Sequence, residues 1–270
     1  MAAPATLAEA AVGVLTAADP AEKLRLTEAA AAAWREGRTA EVGRAEPPAR
    51  PGRPARPRLV PPREVPRRRI GREPAGRIAL LHALAHIELN AVDLAWDIIA
   101  RFTDGDLPKA FYDDWCGVAA DEARHFGLLA DRLADLGAAY GDLPAHDGLW
   151  EAAEETAGDL LARLAVVPLV LEARGLDVTP GMIDRLDRAG DAESAAILEV
   201  IYRDEIGHVA AGQRWFAFLC ERRGQDAGPA WQALVRAHFK GVLKPPFNHE
   251  ARQAAGMAPD LYAYFTRLGP

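Results

Sequence analysis

The feature that most constrains this chain is a five-residue pattern that occurs twice. Asp121-Glu122-Ala123-Arg124-His125 and Asp204-Glu205-Ile206-Gly207-His208 both read D-E-x-x-H. Each follows a further glutamate at nearly equal distance: Glu88 lies 34 residues before Glu122, and Glu172 lies 33 before Glu205. With 3.6 residues per turn, a Glu and a His three apart share one helix face, one turn apart. Two such helices, each joined to a helix that supplies one more Glu, present four carboxylates and two imidazoles. The spacing also marks a weak internal repeat of two helical hairpins, offset by 83 or 84 residues.

These residues fall on apolar faces. Glu88 sits in the stripe of Leu84, Ala91, Val92, Ala95 and Ile99. Glu122 and His125 share a face with Trp115, Val118, Leu129 and Leu133. Glu205 and His208 share one with Leu198, Ile201, Gly212 and Phe216, and Glu172 lies near Leu161, Leu164, Ala165 and Pro168. Carboxylates are almost never fully buried without a partner. Four on apolar faces call for a common one, and a pair of divalent ions provides it. Four Glu and two His are the ligand set of a di-iron or di-manganese site inside a four-helix bundle. Glu88, Glu122, His125, Glu172, Glu205 and His208 are therefore the expected metal ligands and catalytic residues. A ligating His usually donates its other N–H to a carboxylate, so Asp121 is expected to support His208, and Asp204 to support His125. Solvated or salt-bridged helix faces are the alternative.

The rest of the chain reads as all-α. Residues 1–37 hold two short helices, the second opened by Asp19-Pro20 and closed by Gly37. Residues 38–74 carry nine prolines and should be extended. Four longer helices follow, over about 75–102, 108–137, 149–175 and 191–223, with Gly175 ending the third and Thr179-Pro180 capping a short one. Pro168 frees the carbonyl of Leu164 and should bend the third helix. A helical tail occupies 225–270, and no alternating pattern is long enough for a strand. The expected organisation is one structural domain: N-terminal helices, an arm over 38–74, a bundle over 75–224 and the tail.

Other residues invite attention. His82 and His86 share a wheel position with Asp93 and Asp97, opposite Glu88, and read as an exposed or arm-facing polar stripe. Trp115 and Tyr202 lie two turns and one turn before the respective D-E-x-x-H glutamates. They are candidates for a redox or pocket role, with core packing the expected one. Cys116 and Cys220 read as buried apolar residues.

Charge is unevenly spread. Between Gly37 and Arg77 stand 12 Arg and 4 Glu, a net of +8, which leaves −15 on the rest of a chain whose formal net charge is −7. The arm's arginines suit tRNA phosphates or the chain's own acidic bundle, or that of a dimer partner. Docking on its own chain is the expectation. Two distant cysteines form no disulfide framework. The longest apolar run, Leu164 to Leu171, is too short to span a bilayer, and no secretory signal precedes it. A cytoplasmic protein is expected.

At these residues the sequence resembles the ferritin-like di-metal carboxylate superfamily. It is closest to a bacterial ferritin-like family catalogued only as a domain of unknown function. The segments that carry the match are LLHALAHIELNAVDLAWD, FYDDWCGVAADEARHF, YGDLPAHDGLWE, VPLVLEARGLDVTP, DEIGHVAAGQRWF and KPPFN, spanning 80–247. The superfamily implies a four-helix bundle and the same six ligands. It includes ferroxidases, peroxidases, manganese catalases, ribonucleotide-reductase radical subunits, fatty-acyl desaturases and a tRNA hydroxylase. Storage ferritins typically lack the second E-x-x-H histidine, so the resemblance implies redox catalysis. The expectation is a di-iron oxidase or oxygenase that activates O₂ for an unknown small-molecule substrate, with electrons from an unidentified donor. A ferroxidase-type metal-handling protein, a manganese or mixed Mn/Fe catalase- or peroxidase-like enzyme using peroxide, and a tRNA-modifying hydroxylase are the alternatives.

Overall fold

The computed structural model describes residues 4–66, 68, 70–71, 73–104 and 106–267. Among them the fold is all-helical and no strand forms. The chain divides into two compact units, Met1–Trp150 and Glu151–Pro270, so each D-E-x-x-H lies in the same unit as its own upstream glutamate, one motif to each unit.

In the first unit, α1 (Leu7–Thr16) starts in a capping box between Thr6 and Glu9. Asp19 caps α2 (Pro20–Arg35), which has proline at its first position. The described residues of the following segment are extended, as its prolines dictate, apart from a 3-10 turn over Pro62–Glu64, and the segment lies on its own unit. Backbone N–H groups of Leu7 and Ala8 donate to Glu41 and Val42, and Gly52 N donates to the carbonyl of Leu15. Gly43 is needed there: its φ is +65°, and a Cβ would stand 2.4 Å from Thr6. Arg44 pairs with Asp104, Arg50 with Asp147, and Arg53 with Asp93. This matches the expected docking of the basic arm on acidic groups of its own chain.

Two long helices, α3 (Pro74–Arg101) and α4 (Lys109–Asp135), pack along each other as a hairpin. By length and composition α3 could cross a membrane, yet 78% of its most apolar window is buried inside the protein. It is a core helix wrapped by α1, α4 and the arm. That wrapping decides between the two expectations for the polar stripe: it faces the arm, with Arg53 on Asp93 and Asn90, and is not exposed. His82 and His86 are 1% and 5% exposed, not a solvated stripe. Tyr140, from the loop after α4, stacks on both rings. Gly141 N donates to His82 Nε2, and His86 Nδ1 meets the Tyr140 hydroxyl at 2.9 Å. Asp93 and Asp97 are also buried, with Lys23 and Arg53 on the first and Arg101 on the second.

The helix α5 (Gly148–Glu155) contains the division between the units. In the second unit the expected third helix is not one element. It comprises α6 (Leu160–Val166), a π-helical turn over Val167–Glu172, and α7 (Ala173–Arg188). Pro168 lacks the N–H that would continue the α pattern, and the chain answers with a π bulge. The neighbouring carbonyl of Ala165 accepts from the indole of Trp231. Neither Gly175 nor Thr179-Pro180 ends the helix, because the carbonyl that Pro180 leaves free, that of Leu176, accepts from the Asn248 side chain at 3.1 Å. Asp191 caps α8 (Ala192–Arg222), which returns antiparallel to α7 after a short turn.

The tail folds back onto its unit through α9 (Ala227–His238), α10 (His249–Ala254) and α11 (Pro259–Arg267). Its anchor is Arg252, 2% exposed, whose guanidinium grips both oxygens of Asp177 and lies over the rings of Phe247 and Tyr262.

Candidate metal centre

The first unit brings together three of the expected residues. Glu88 projects from α3, and Glu122 and His125 from α4. They are 4%, 0% and 0% exposed. His125 Nδ1 stands 3.2 Å from Glu88 Oε2 and 3.6 Å from Glu122 Oε2. A ligating atom from each of the three lies within 4.8 Å of the others. The Glu–His pair meets because i and i+3 share a face, and Glu88 joins it through the α3–α4 packing.

The electrostatics fit a cation. Burial alone would suppress a charge on His125, but hydrogen bonds to Glu122 and Glu88 outweigh it and push its pKa up to about 10. Two buried carboxylates thus hold a proton on the imidazole between them. A divalent ion would take the place of that proton, so metal uptake would release it. Carboxylate oxygen and imidazole nitrogen suit iron, manganese or zinc better than softer ions.

The second unit repeats the motif. Glu205 and His208 on α8 are 9% and 3% exposed, with His208 Nδ1 3.7 Å from Glu205 Oε1. Glu172 is the last residue of the π turn, and its Oε2 is shielded from solvent. Each unit therefore holds two carboxylates and one imidazole of the expected six.

The neighbours take varied places. Asp121 pairs with Arg124 at 3.0 Å and has a 42% exposed side chain, while Asp204 is half-buried. Trp115 is buried against the edge of Phe111, as a core residue. Tyr202 is half-buried, and its hydroxyl accepts from Asn248 at 2.8 Å. Cys116 and Cys220 are buried free thiols. The π turn that carries Glu172 was not read from sequence. Pro168 signalled a bend there, not its form.

The comparisons identify a family. A Haemophilus influenzae (strain Rd) protein described as "Uncharacterized protein" is 43% identical over 208 residues, covering 75% of this chain and 72% of the relative. No solved structure matches the chain. A family model described as "Protein of unknown function (DUF455)" matches residues 16–263, and the chain belongs to that family.

Proposed function

We propose that this is a ferritin-like four-helix-bundle protein with a di-metal carboxylate centre. Glu88, Glu122, His125, Glu172, Glu205 and His208 would hold two iron ions, and the protein would act as a cytoplasmic O₂-activating oxidase or oxygenase on a small organic substrate. The observation that carries this reading is the convergence of Glu88, Glu122 and His125, all buried, in an apolar interior. The Glu205–His208 pair on α8, with Glu172 of the π turn, would supply the second ion's share of the ligands.

Bound iron would supply the electrons and the open coordination positions that O₂ reduction requires. The chain's own residues do the rest. Four carboxylates offset the charge of two divalent ions. The apolar side chains around Glu88 and Glu122 keep water from the centre, which strengthens every charge interaction inside it. His125 carries a proton while no ion is bound and gives it up to an incoming metal. Asp121 and Asp204 are proposed to orient the histidine rings.

The test is O₂ uptake by the full chain. Protein loaded with Fe(II) under argon and then mixed with O₂ should consume it faster than free Fe(II) does, and Glu122→Gln should abolish the acceleration. Uptake no faster than that of free Fe(II) would contradict the oxidase reading.

A further inference from the structure

We propose that Gly212 is a positioning residue for Glu172: the missing side chain at 212 sets where the π turn, and with it the Glu172 carboxylate, sits. The inference rests on the metal reading above and assigns to α8 a role beyond supplying ligands.

Glycine is a poor helix former, yet Gly212 stands inside α8, a continuous helix of 31 residues. A close approach explains it. A Cβ at 212 would lie 2.4 Å from Pro168 Cβ and 2.5 Å from Pro168 Cγ. Gly207, five residues earlier on the same helix, has nothing within 4 Å of the equivalent position. The intolerance to a side chain is therefore local to the Pro168 contact.

That contact is in register with the ligands. Pro168 precedes Glu172 by four residues, and Gly212 follows His208 by four. The two elements run antiparallel, so one turn along from the Gly212–Pro168 contact come Glu172 on one side and His208 on the other. Any methyl group at 212 needs the facing ring to retreat by about 1 Å to reach ordinary contact. The regular helix α8 is the stiffer partner, so the π turn takes up the shift. Metal–ligand distances are held to within about 0.2 Å, and a displacement of that size is enough to spoil the Glu172 contribution. Glu88, Glu122 and His125 stand on α3 and α4 and take no part in the Gly212–Pro168 contact.

Titration of the full chain with Co(II), followed by visible absorption, tests this. The wild type is expected to bind two ions. Gly212→Ala should keep its helical circular dichroism and its first ion, and bind the second at least tenfold more weakly. Gly207→Ala should match the wild type at both. Two ions bound by Gly212→Ala with wild-type affinity would overturn the inference and leave the metal reading intact, even if the variant melts earlier. A wild type that binds no Co(II) would overturn both. If Gly212→Ala does not fold, Pro168→Ala carries the test from the other side. It restores an N–H and removes the ring Cγ that faces Gly212 while keeping Cβ, so the π turn loses its cause, the second ion should again bind at least tenfold more weakly, and unchanged affinity would overturn the inference.

Discussion

His125 Nδ1 stands 3.2 Å from Glu88 Oε2 across 37 residues of sequence, with both side chains out of solvent. The α3–α4 hairpin is thus registered so that the isolated glutamate of one helix meets the D-E-x-x-H of the next. Removing a member of this group should be felt first in metal content. His125→Ala leaves two buried carboxylates without the imidazole between them. Metal per chain, measured by elemental analysis, should fall by at least half, with helical content retained. Unchanged metal content would contradict its role as a ligand.

Asp177 answers the buried guanidinium of Arg252. Breaking such a pair from one side leaves an uncompensated charge, which costs about 3–5 kcal/mol. Asp177→Ala should therefore unfold at clearly lower urea, and its tail should become sensitive to protease, because Asp177 also accepts from the backbone N–H of Asn248 at 2.9 Å. A wild-type urea midpoint would contradict this.

Lys23 is 1% exposed and pairs with Asp93. Burial pulls the Lys23 ammonium below its usual pKa even though Asp93 opposes that shift. Lys23→Met keeps the stem's packing but leaves Asp93 to Arg53 alone. A loss of about 2 kcal/mol is expected in equilibrium unfolding, less than for a fully unpaired charge, and a stability within 0.5 kcal/mol of wild type, by the same order-of-magnitude scale, would contradict it.

Cys116 offers a pH-dependent readout. Burial, with Asp113 nearby, pushes its thiol up to about 12. The reactive thiolate is then almost absent at pH 8, and reactivity should rise only as the pH nears that value. Iodoacetamide at pH 8 should leave Cys116 unmodified in the native protein and label it in urea, by peptide mass. Rapid native labelling would contradict the burial.

Much of this was legible in the sequence because it is local. A Glu and a His three apart on a helix, an Asp-Pro start and a proline-rich arm act through their immediate neighbours, and all appear where expected. What was not legible depends on distant partners. Thr179-Pro180 reads as a helix boundary until Asn248, some 70 residues on, fills the freed carbonyl of Leu176. Pro168 signals a bend, but the π turn also depends on Gly212 leaving room for its ring. His82 and His86 look like a polar stripe by their wheel position. They are buried because Tyr140 stacks on them, and Arg53 of the arm bonds Asn90 and Asp93 on the same helix. Local periodicity carries no record of such cover.

The central claim is a pair of iron ions held by six side chains. Its most direct test is the metal content of the full chain purified without chelators, together with the absorption spectrum of the oxidised protein. Two irons per chain with near-ultraviolet charge-transfer bands, both lost in Glu122→Gln, are the expected result. No bound metal, or a single zinc per chain, would contradict it.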